Sequence, residues 1–137
     1  MKPKFTMNAD VSNPLSKAFL CGRVKATPSD KDRALRWTLI AITRMYYEEV
    51  VGIALPKGKC FCIATGGLYD YYGLAVSHLK KRSTNPELHW DINNVQLVNH
   101  ATHEQQERRQ FPEDLRPKDF KHFVKQFKEV INGRFNQ

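Results

Sequence analysis

The chain has 137 residues, a hydrophobic fraction of 41% and a formal net charge of +8. This length allows one domain with a modest core, and the hydrophobic fraction is too high for a disordered chain. The charge favours an anionic partner, nucleic acid above all. No apolar run approaches the ~18 residues of a membrane span, and three cysteines are too few for a disulfide framework. We therefore expect a cytoplasmic or nucleoid-associated protein with no membrane contact.

The first part of the chain predicts an irregular segment followed by one long helix. Residues 1–28 contain three prolines among polar residues and predict irregular structure, and 29–137 is expected to form a single domain. Ser29 is a suitable helix cap, and apolar residues recur every three to four positions after it, so a helix is expected from about 30 to 51. Its buried stripe should contain Leu35, Leu39, Ile42, Tyr46 and Val50.

The middle of the chain predicts short strands. Residues 59–64 and the aromatic stretch 68–78 both favour extended structure, with a glycine turn between them. A short returning strand is expected at 95–98, followed by a polar helix at about 99–109. Trp90, between these segments, is expected in the core. The pattern as a whole indicates an α+β fold.

The C-terminal part predicts an amphipathic helix that packs back on the core. Pro117 is suited to the first turn, and Gly133 is a natural stop. The apolar stripe between them repeats at helical spacing and contains Phe120, Phe123, Val124, Phe127, Val130 and Ile131.

Three polar residues in the middle of the chain have the types that phosphodiester cleavage requires. A base must deprotonate water near neutral pH, and a divalent metal with N or O ligands must stabilise the leaving oxygen. His78 at a strand end, Asn94 before the returning strand and His103 on the next helix could converge to supply them. Taken singly, each has an ordinary explanation: a backbone-bonded histidine, a turn residue and a solvated helix residue, the last with His100 as its competitor.

The order of these three residues resembles the motif of the HNH endonucleases. In that family the central Asn is followed by four residues, Cys, two residues, Cys and His. Here Asn94 is followed by four residues, Asn99, two residues, Thr102 and His103, with no gap.

The stretch SHLKKRSTNPELHWDINNVQ is most similar to the phage recombination endonucleases called Rap or NinG. The resemblance covers about residues 30–110. It implies a ββα-metal (HNH) core, flanked here by the long N-terminal helix and the C-terminal amphipathic helix. For a phage-encoded protein, the expected compartment is the host cytoplasm.

The resemblance also implies roles for individual residues. His78 would be the general base and Asn94 would position it. His103, with Glu107 or Asp91, would hold Mg²⁺ or Mn²⁺. The basic loop would contact the DNA backbone, although it could also be a plain solvated loop; it contains Lys80, Lys81 and Arg82.

Two departures from the family pattern concern metal ligands. Of the four positions where relatives bind structural zinc, Cys62 alone is a cysteine; Thr65, Asn99 and Thr102 occupy the others. Since tetrahedral zinc needs four good ligands, we expect no structural zinc. Ser77, before the expected base, replaces an acid or histidine that is often a ligand in the wider family.

The leading hypothesis is a metal-dependent DNA endonuclease or nickase, with branched DNA in phage recombination as a candidate substrate. One alternative is a catalytically degenerate HNH-fold module that only binds DNA or a protein. Another is a structural phage protein with no role in nucleic-acid binding. Nicking of supercoiled plasmid with and without a metal chelator separates the first from the others.

Overall fold

The computed structural model of the chain describes residues 28–80, 86–108 and 114–135. The irregular segment expected at 1–28 lies outside these residues except for Pro28, which begins the first helix. In chain order, the elements are α1 (Pro28–Met45), a π-helical turn (Tyr46–Val51), β1 (Lys59–Phe61), β2 (Leu68–Asp70), a 3-10 turn (Tyr71–Gly73), β3 (Leu74–His78), two 3-10 turns (Pro86–Leu88 and Ile92–Asn94), β4 (Val95–Asn99), α2 (His100–Arg108) and α3 (Lys118–Phe135).

The strands form two antiparallel hairpins, so the expected α+β class is confirmed. β1 pairs with β2, and β3 pairs with β4 in a register that places Leu74 opposite Asn99 and His78 opposite Val95. α2 follows β4 without a linker and packs on both strands of the second hairpin. The described order of this unit is therefore strand, strand, helix.

The first helix supplies one wall of the core, as its stripe predicts, but not along its whole expected length. Four of the five stripe residues are buried, whereas Val50 is 39% exposed. The reason is the change to π-helical geometry after Met45, which alters the number of residues per turn and rotates Val50 away from the core. Gly52 then ends the helix at φ 85°, where its N–H donates to the carbonyl of Tyr47.

The stretch 68–78 is not one extended segment, because the turn Tyr71–Gly73 divides it into β2 and β3. The interruption has a tertiary cause. The ring of Tyr71 packs edge-on against Trp37 of α1, with centroids 5.7 Å apart. Arg36 of α1 donates to the backbone carbonyls of Tyr71 and Leu74. These contacts hold the chain at both sides of the turn.

The last helix closes the core through its aromatic stripe. Phe120, Phe123 and Phe127 are buried, and the ring of Tyr46 lies edge-on to Phe120 with centroids 5.0 Å apart. The hydroxyl of Tyr46 donates to Asp119 in the first turn of α3, at 2.7 Å. α3 continues through residue 133 to Phe135, because a glycine costs only about 1 kcal/mol within a helix.

Trp90 packs only partly against the core; it is half-buried and its indole N–H is bonded at the surface. The ring of Trp90 packs against the core, as expected, whereas its indole N–H lies at the surface. In the described part of the chain, no helix combines the length and apolar character needed to cross a membrane.

Candidate active site

The imidazole of His78 lies at the end of β3 and is held in one orientation by the backbone of His89. Its Nε2 is 2.8 Å from the carbonyl oxygen of His89. Because a carbonyl only accepts, Nε2 carries the hydrogen, and the lone pair of the neutral ring lies on Nδ1. Nδ1 has no hydrogen-bond partner among the described residues. His78 therefore has the tautomer of a base whose accepting nitrogen is available.

Burial lowers the pKa of His78 from its ordinary 6.5, and the charges of His89 and His103 lower it further. The hydrogen bond to His89 and the charge of Asp32 act in the opposite direction and are outweighed. A neutral imidazole is thus favoured at neutral pH. The charge of His103, on α2, has the smallest of these effects, and the convergence of the two imidazoles on one pocket stays a prediction.

A cluster around His89 supports the His78 ring from one side. The two imidazoles are stacked, with centroids 4.5 Å apart and planes 2° from parallel. Nε2 of His89 lies 3.5 Å from Oδ1 of Asp32, and the indole N–H of Trp90 donates to the same oxygen at 2.8 Å. Sequence reasoning missed His89 and Asp32, because no periodicity connects residues so far apart.

Asn94 ties the loop after β3 to the start of β4. Its Oδ1 accepts from the N–H of Lys80 at 2.9 Å, while its Nδ2 donates to the carbonyls of Lys80 and Leu88. Its own backbone carbonyl accepts from Leu79 at 2.8 Å. The side chain is buried and does not touch the His78 ring in any described contact. It positions His78 and His89 indirectly, through the backbone on both sides of the loop.

The three expected metal ligands come from two parts of the chain, and the side chain of one of them is outside the described residues. His103 lies on α2, and Glu107 is one turn later on the same helix, although its side chain is outside the described residues. The carboxylate of Asp91 accepts from the N–H of Asn93 and closes its own turn. In the described ranges, no three His, Cys, Asp or Glu side chains are placed to share a metal ion.

Ser77, the residue before the expected base, makes a buried contact with α2. Its hydroxyl donates to Oε1 of Gln106, and both residues are less than one-tenth exposed. This bond joins β3 to α2 behind the site. Sequence reasoning did not single out Gln106, because a polar residue in a polar helix gives no signal of burial.

The basic loop is described only at its first residue. Lys80 is exposed, and its backbone is fixed by Asn94. Lys81 and Arg82 lie outside the described residues, so their expected phosphate contacts stay predictions.

Hydrogen bonds link three of the four positions that the HNH pattern assigns to zinc. The Sγ of Cys62 accepts from the N–H of Asn99 at 3.2 Å, and Oδ1 of Asn99 accepts from the N–H of Thr102 at 2.8 Å. The Nδ2 of Asn99 donates to the hydroxyl of Tyr69, also at 2.8 Å. Thr65 lies in the turn that the N–H of Gly66 closes on Cys62. These contacts attach the first hairpin to the second.

A comparison of the chain with models of known protein families found no match, and comparisons with curated proteins and with solved structures found none either.

Proposed function

We propose that the chain is a metal-dependent DNA endonuclease or nickase with an HNH-like ββα core formed by β3, β4 and α2. The observation that carries the proposal is the state of His78. It is a half-buried imidazole at a strand end, its Nε2–H is fixed on a carbonyl, and its pKa is lowered. A base for water needs this combination of a fixed ring, a free lone pair and a neutral form near pH 7.

The convergence of other residues supports the same proposal. Asn94 precedes β4 and fixes the loop after β3, and His103 lies on α2 close enough to affect His78. The positions that the family pattern assigns to zinc also form one network, although cysteine remains at only one of them. These contacts support the proposal because they link residues from two separate parts of the pattern.

In the proposed reaction, Nδ1 of His78 removes a proton from a water molecule as that water attacks the phosphorus atom. The bond from phosphorus to the leaving oxygen then breaks, and one strand is cut. The carbonyl of His89 keeps the imidazole ring from rotating during the transfer. Asn94 maintains this geometry by holding the backbone at Lys80 and Leu88.

His103 and Glu107 are the residues that would hold the metal. Mg²⁺ commonly takes only one or two protein ligands and completes its shell with water and substrate phosphate, so a pair on one helical face fits it. Asp91 stays the alternative second ligand; one of its carboxylate oxygens accepts from the N–H of Asn93 within its own turn. When bound, the ion supplies stabilisation of negative charge on the phosphate and the leaving oxygen.

The test is nicking of supercoiled plasmid with Mg²⁺ or Mn²⁺, with and without a chelator. We expect metal-dependent nicking by the wild type. His78→Ala should lower the rate by about 10²–10⁴-fold, the usual contribution of a general base. His103→Ala should abolish the nicking that depends on Mg²⁺ or Mn²⁺. His100→Ala is the matched control, because His100 is exposed on the same helix and contacts the carbonyl of Tyr72.

Absence of nicking by the wild type, or equal rates for wild type and His78→Ala, would overturn the proposal. The alternative function is then a degenerate HNH-fold module that binds DNA without cutting it. The Ser77–Gln106 bond favours this alternative, since it occupies the hydroxyl where the wider family often has a ligand. Salt-dependent DNA binding without metal-stimulated nicking would establish it.

A further inference from the structure

A second basic surface lies on α3, away from the basic loop. Lys118, Lys121, Lys125 and Lys128 are spaced by three, four and three residues, so they share one face of the helix. The first three are exposed and Lys128 is half-buried. The aromatic stripe of α3 faces the core on the other side. The helix is therefore divided into an apolar face and a lysine face.

The lysine face borders a groove of about 470 Å³ between α3 and the turn that precedes β4. We call it the lysine groove; its lining residues are Asn93, Lys121, Lys125, Lys128 and Glu129. Asn93 is the immediate neighbour of Asn94, which fixes the loop beside His78. The groove is therefore bordered by α3 and by the 3-10 turn that leads into β4.

The charges in the groove are predominantly positive. Three lysines face one carboxylate, that of Glu129. Lys121 also pairs with Asp114 at 2.8 Å. Burial raises the pKa of Asp114, but hydrogen bonds from Arg116 and Lys121 outweigh it and lower the pKa to about 2. Asp114 therefore stays anionic and partly neutralises Lys121, while Lys125 and Lys128 carry most of the unbalanced charge.

The length and chemistry of this surface fit a polyanion better than a small phosphate. From Lys121 to Lys128 the helix rises by about 10 Å, so one phosphate group cannot meet all three groove lysines. Proteins that hold single-stranded DNA usually stack its bases on aromatic rings, and the described lining of the groove contains none. Lysine side chains without aromatic neighbours suit the backbone of a duplex.

We propose that the lysine groove binds the sugar–phosphate backbone of duplex DNA, as a contact surface separate from the basic loop after β3. This inference rests on the proposed function for its substrate, but it concerns binding and can be tested without cleavage. The groove supplies sequence-independent contacts that position the duplex. Specificity, where present, comes from other parts of the chain.

The test compares two variants that lose the same charge. Lys125→Gln/Lys128→Gln alters the groove, and Lys57→Gln/Lys59→Gln alters exposed lysines in β1 and the loop before it. Binding of a dye-labelled DNA duplex is measured by fluorescence anisotropy over a salt series, with a chelator present so that no strand is cut. Loss of one phosphate contact reduces the magnitude of the slope of log K against log salt by about 0.9. The magnitude of the slope should therefore fall by about 1.8 for the groove variant and stay at the wild-type value for the control.

A third variant tests the groove by gain of binding. Glu129→Gln removes the one carboxylate of the lining, and it should bind the duplex more tightly than the wild type. This result does not depend on damage to the fold, and urea unfolding of all variants checks their stability. Duplex RNA and anionic phosphatidylserine vesicles are assayed in parallel with the same proteins.

Equal slopes for the groove variant and the control would overturn the proposal. So would lysine-dependent binding of vesicles or of RNA in preference to the DNA duplex. The outcomes are separable from the proposed function. If the wild type nicks plasmid and the groove variant keeps the wild-type slope, the enzyme holds DNA elsewhere. If the salt dependence of duplex binding is weaker in the groove variant but the wild type does not nick plasmid, the chain is a binding module.

Discussion

At the scale of single residues, the candidate site depends on hydrogen bonds to the backbone more than on contacts between side chains. His78 is fixed by a carbonyl, and the amide of Asn94 makes three bonds, all to main-chain groups. These hydrogen bonds orient the His78 imidazole without placing a charged group against it. Burial has the largest effect on the pKa of His78 and lowers it; the hydrogen bond to the carbonyl of His89 has the next largest effect and raises it.

This arrangement predicts the pH dependence of nicking. A general base must be neutral, and the pKa of His78 in the folded protein is below 6.5 because of burial. We expect the rate to stay high as the pH falls to 6.5 and to decline only below it. Asp32→Asn should move this acid limb to still lower pH, because the charge of Asp32 raises the pKa of His78. Asp70→Asn is the control. The measurement is the initial nicking rate between about pH 5 and 8.

An acid limb that begins well above pH 6.5 would contradict the role of His78 as the base. A shift of the limb to higher pH in Asp32→Asn would do the same. The same lowered pKa has a consequence for stability. Protonation of His78 is less favourable in the folded state, so stability is retained above pH 6.5 and is lost as the pH falls through the folded pKa.

At the scale of elements, α1 holds both hairpins through two arginines. Arg36 donates to carbonyls on either side of the turn before β3. Arg44 is 7% exposed and donates to the carbonyls of Pro56 and Lys59, at 2.8 and 2.6 Å, which fixes the loop before β1. A single helix thereby sets the positions of both hairpins through the termini of their strands.

We expect Arg44→Met to lower the free energy of unfolding by about 2–3 kcal/mol. The substitution leaves the partly buried carbonyl groups of Pro56 and Lys59 without the donor that Arg44 supplies, and that loss outweighs the apolar surface gained. Arg33→Met, at an exposed position of the same helix, should change stability by less than about 0.5 kcal/mol. Urea unfolding of the three proteins measures the difference, and equal midpoints for the two variants would show that Arg44 does not hold the loop.

The elements also show what local sequence can and cannot predict. The stripes of α1 and α3 were predictable, because helical periodicity directly reports one buried face. The turn Tyr71–Gly73 was not, since it depends on Arg36 and Trp37 in a helix more than thirty residues earlier. The exposure of Val50 was missed for a similar reason. The π-helical turn breaks a periodicity that the sequence alone continues.

At the scale of the whole molecule, the two hairpins meet at Cys62, Asn99 and Tyr69. A second link runs from the N–H of Ile63 to the carbonyl of Leu97, at 3.0 Å. The hydrogen bonds at this junction occupy the positions that a tetrahedral metal site would use in the family pattern. The structure therefore predicts the result of introducing a tetrahedral metal site there.

We expect the variant Thr65→Cys/Asn99→Cys/Thr102→Cys to bind one Zn²⁺ or Co²⁺ with Cys62 as the fourth ligand. Without metal it should be less stable than the wild type by about 1 kcal/mol, because the cap of α2 at Asn99 is lost. With metal its unfolding midpoint should rise. The visible absorption of tetrahedral Co²⁺ measures binding, and Thr102→Cys alone is the control. No binding by the triple variant would show that the four positions do not converge.

The residue types and the resemblance to the HNH motif singled out His78, Asn94 and His103, and their shared role stays a prediction. The structure shows that His78 is fixed on the carbonyl of His89 and that Asn94 binds the backbone of the loop after β3. The stacking of His89 on His78 and the burial of Gln106 against Ser77 depend on how α1 and α2 pack on the second hairpin. No local pattern encodes those distances, and the lysine face of α3 is visible only once its apolar side is known to be buried.

The three bonds of Asn94 have a last consequence for how the protein could be altered. One amide fixes the backbone at Lys80 and at Leu88 through three hydrogen bonds of its own. Grafting another sequence between these two residues should therefore leave the imidazole at the end of β3 in place. The charge of this stretch can then be exchanged without moving His78.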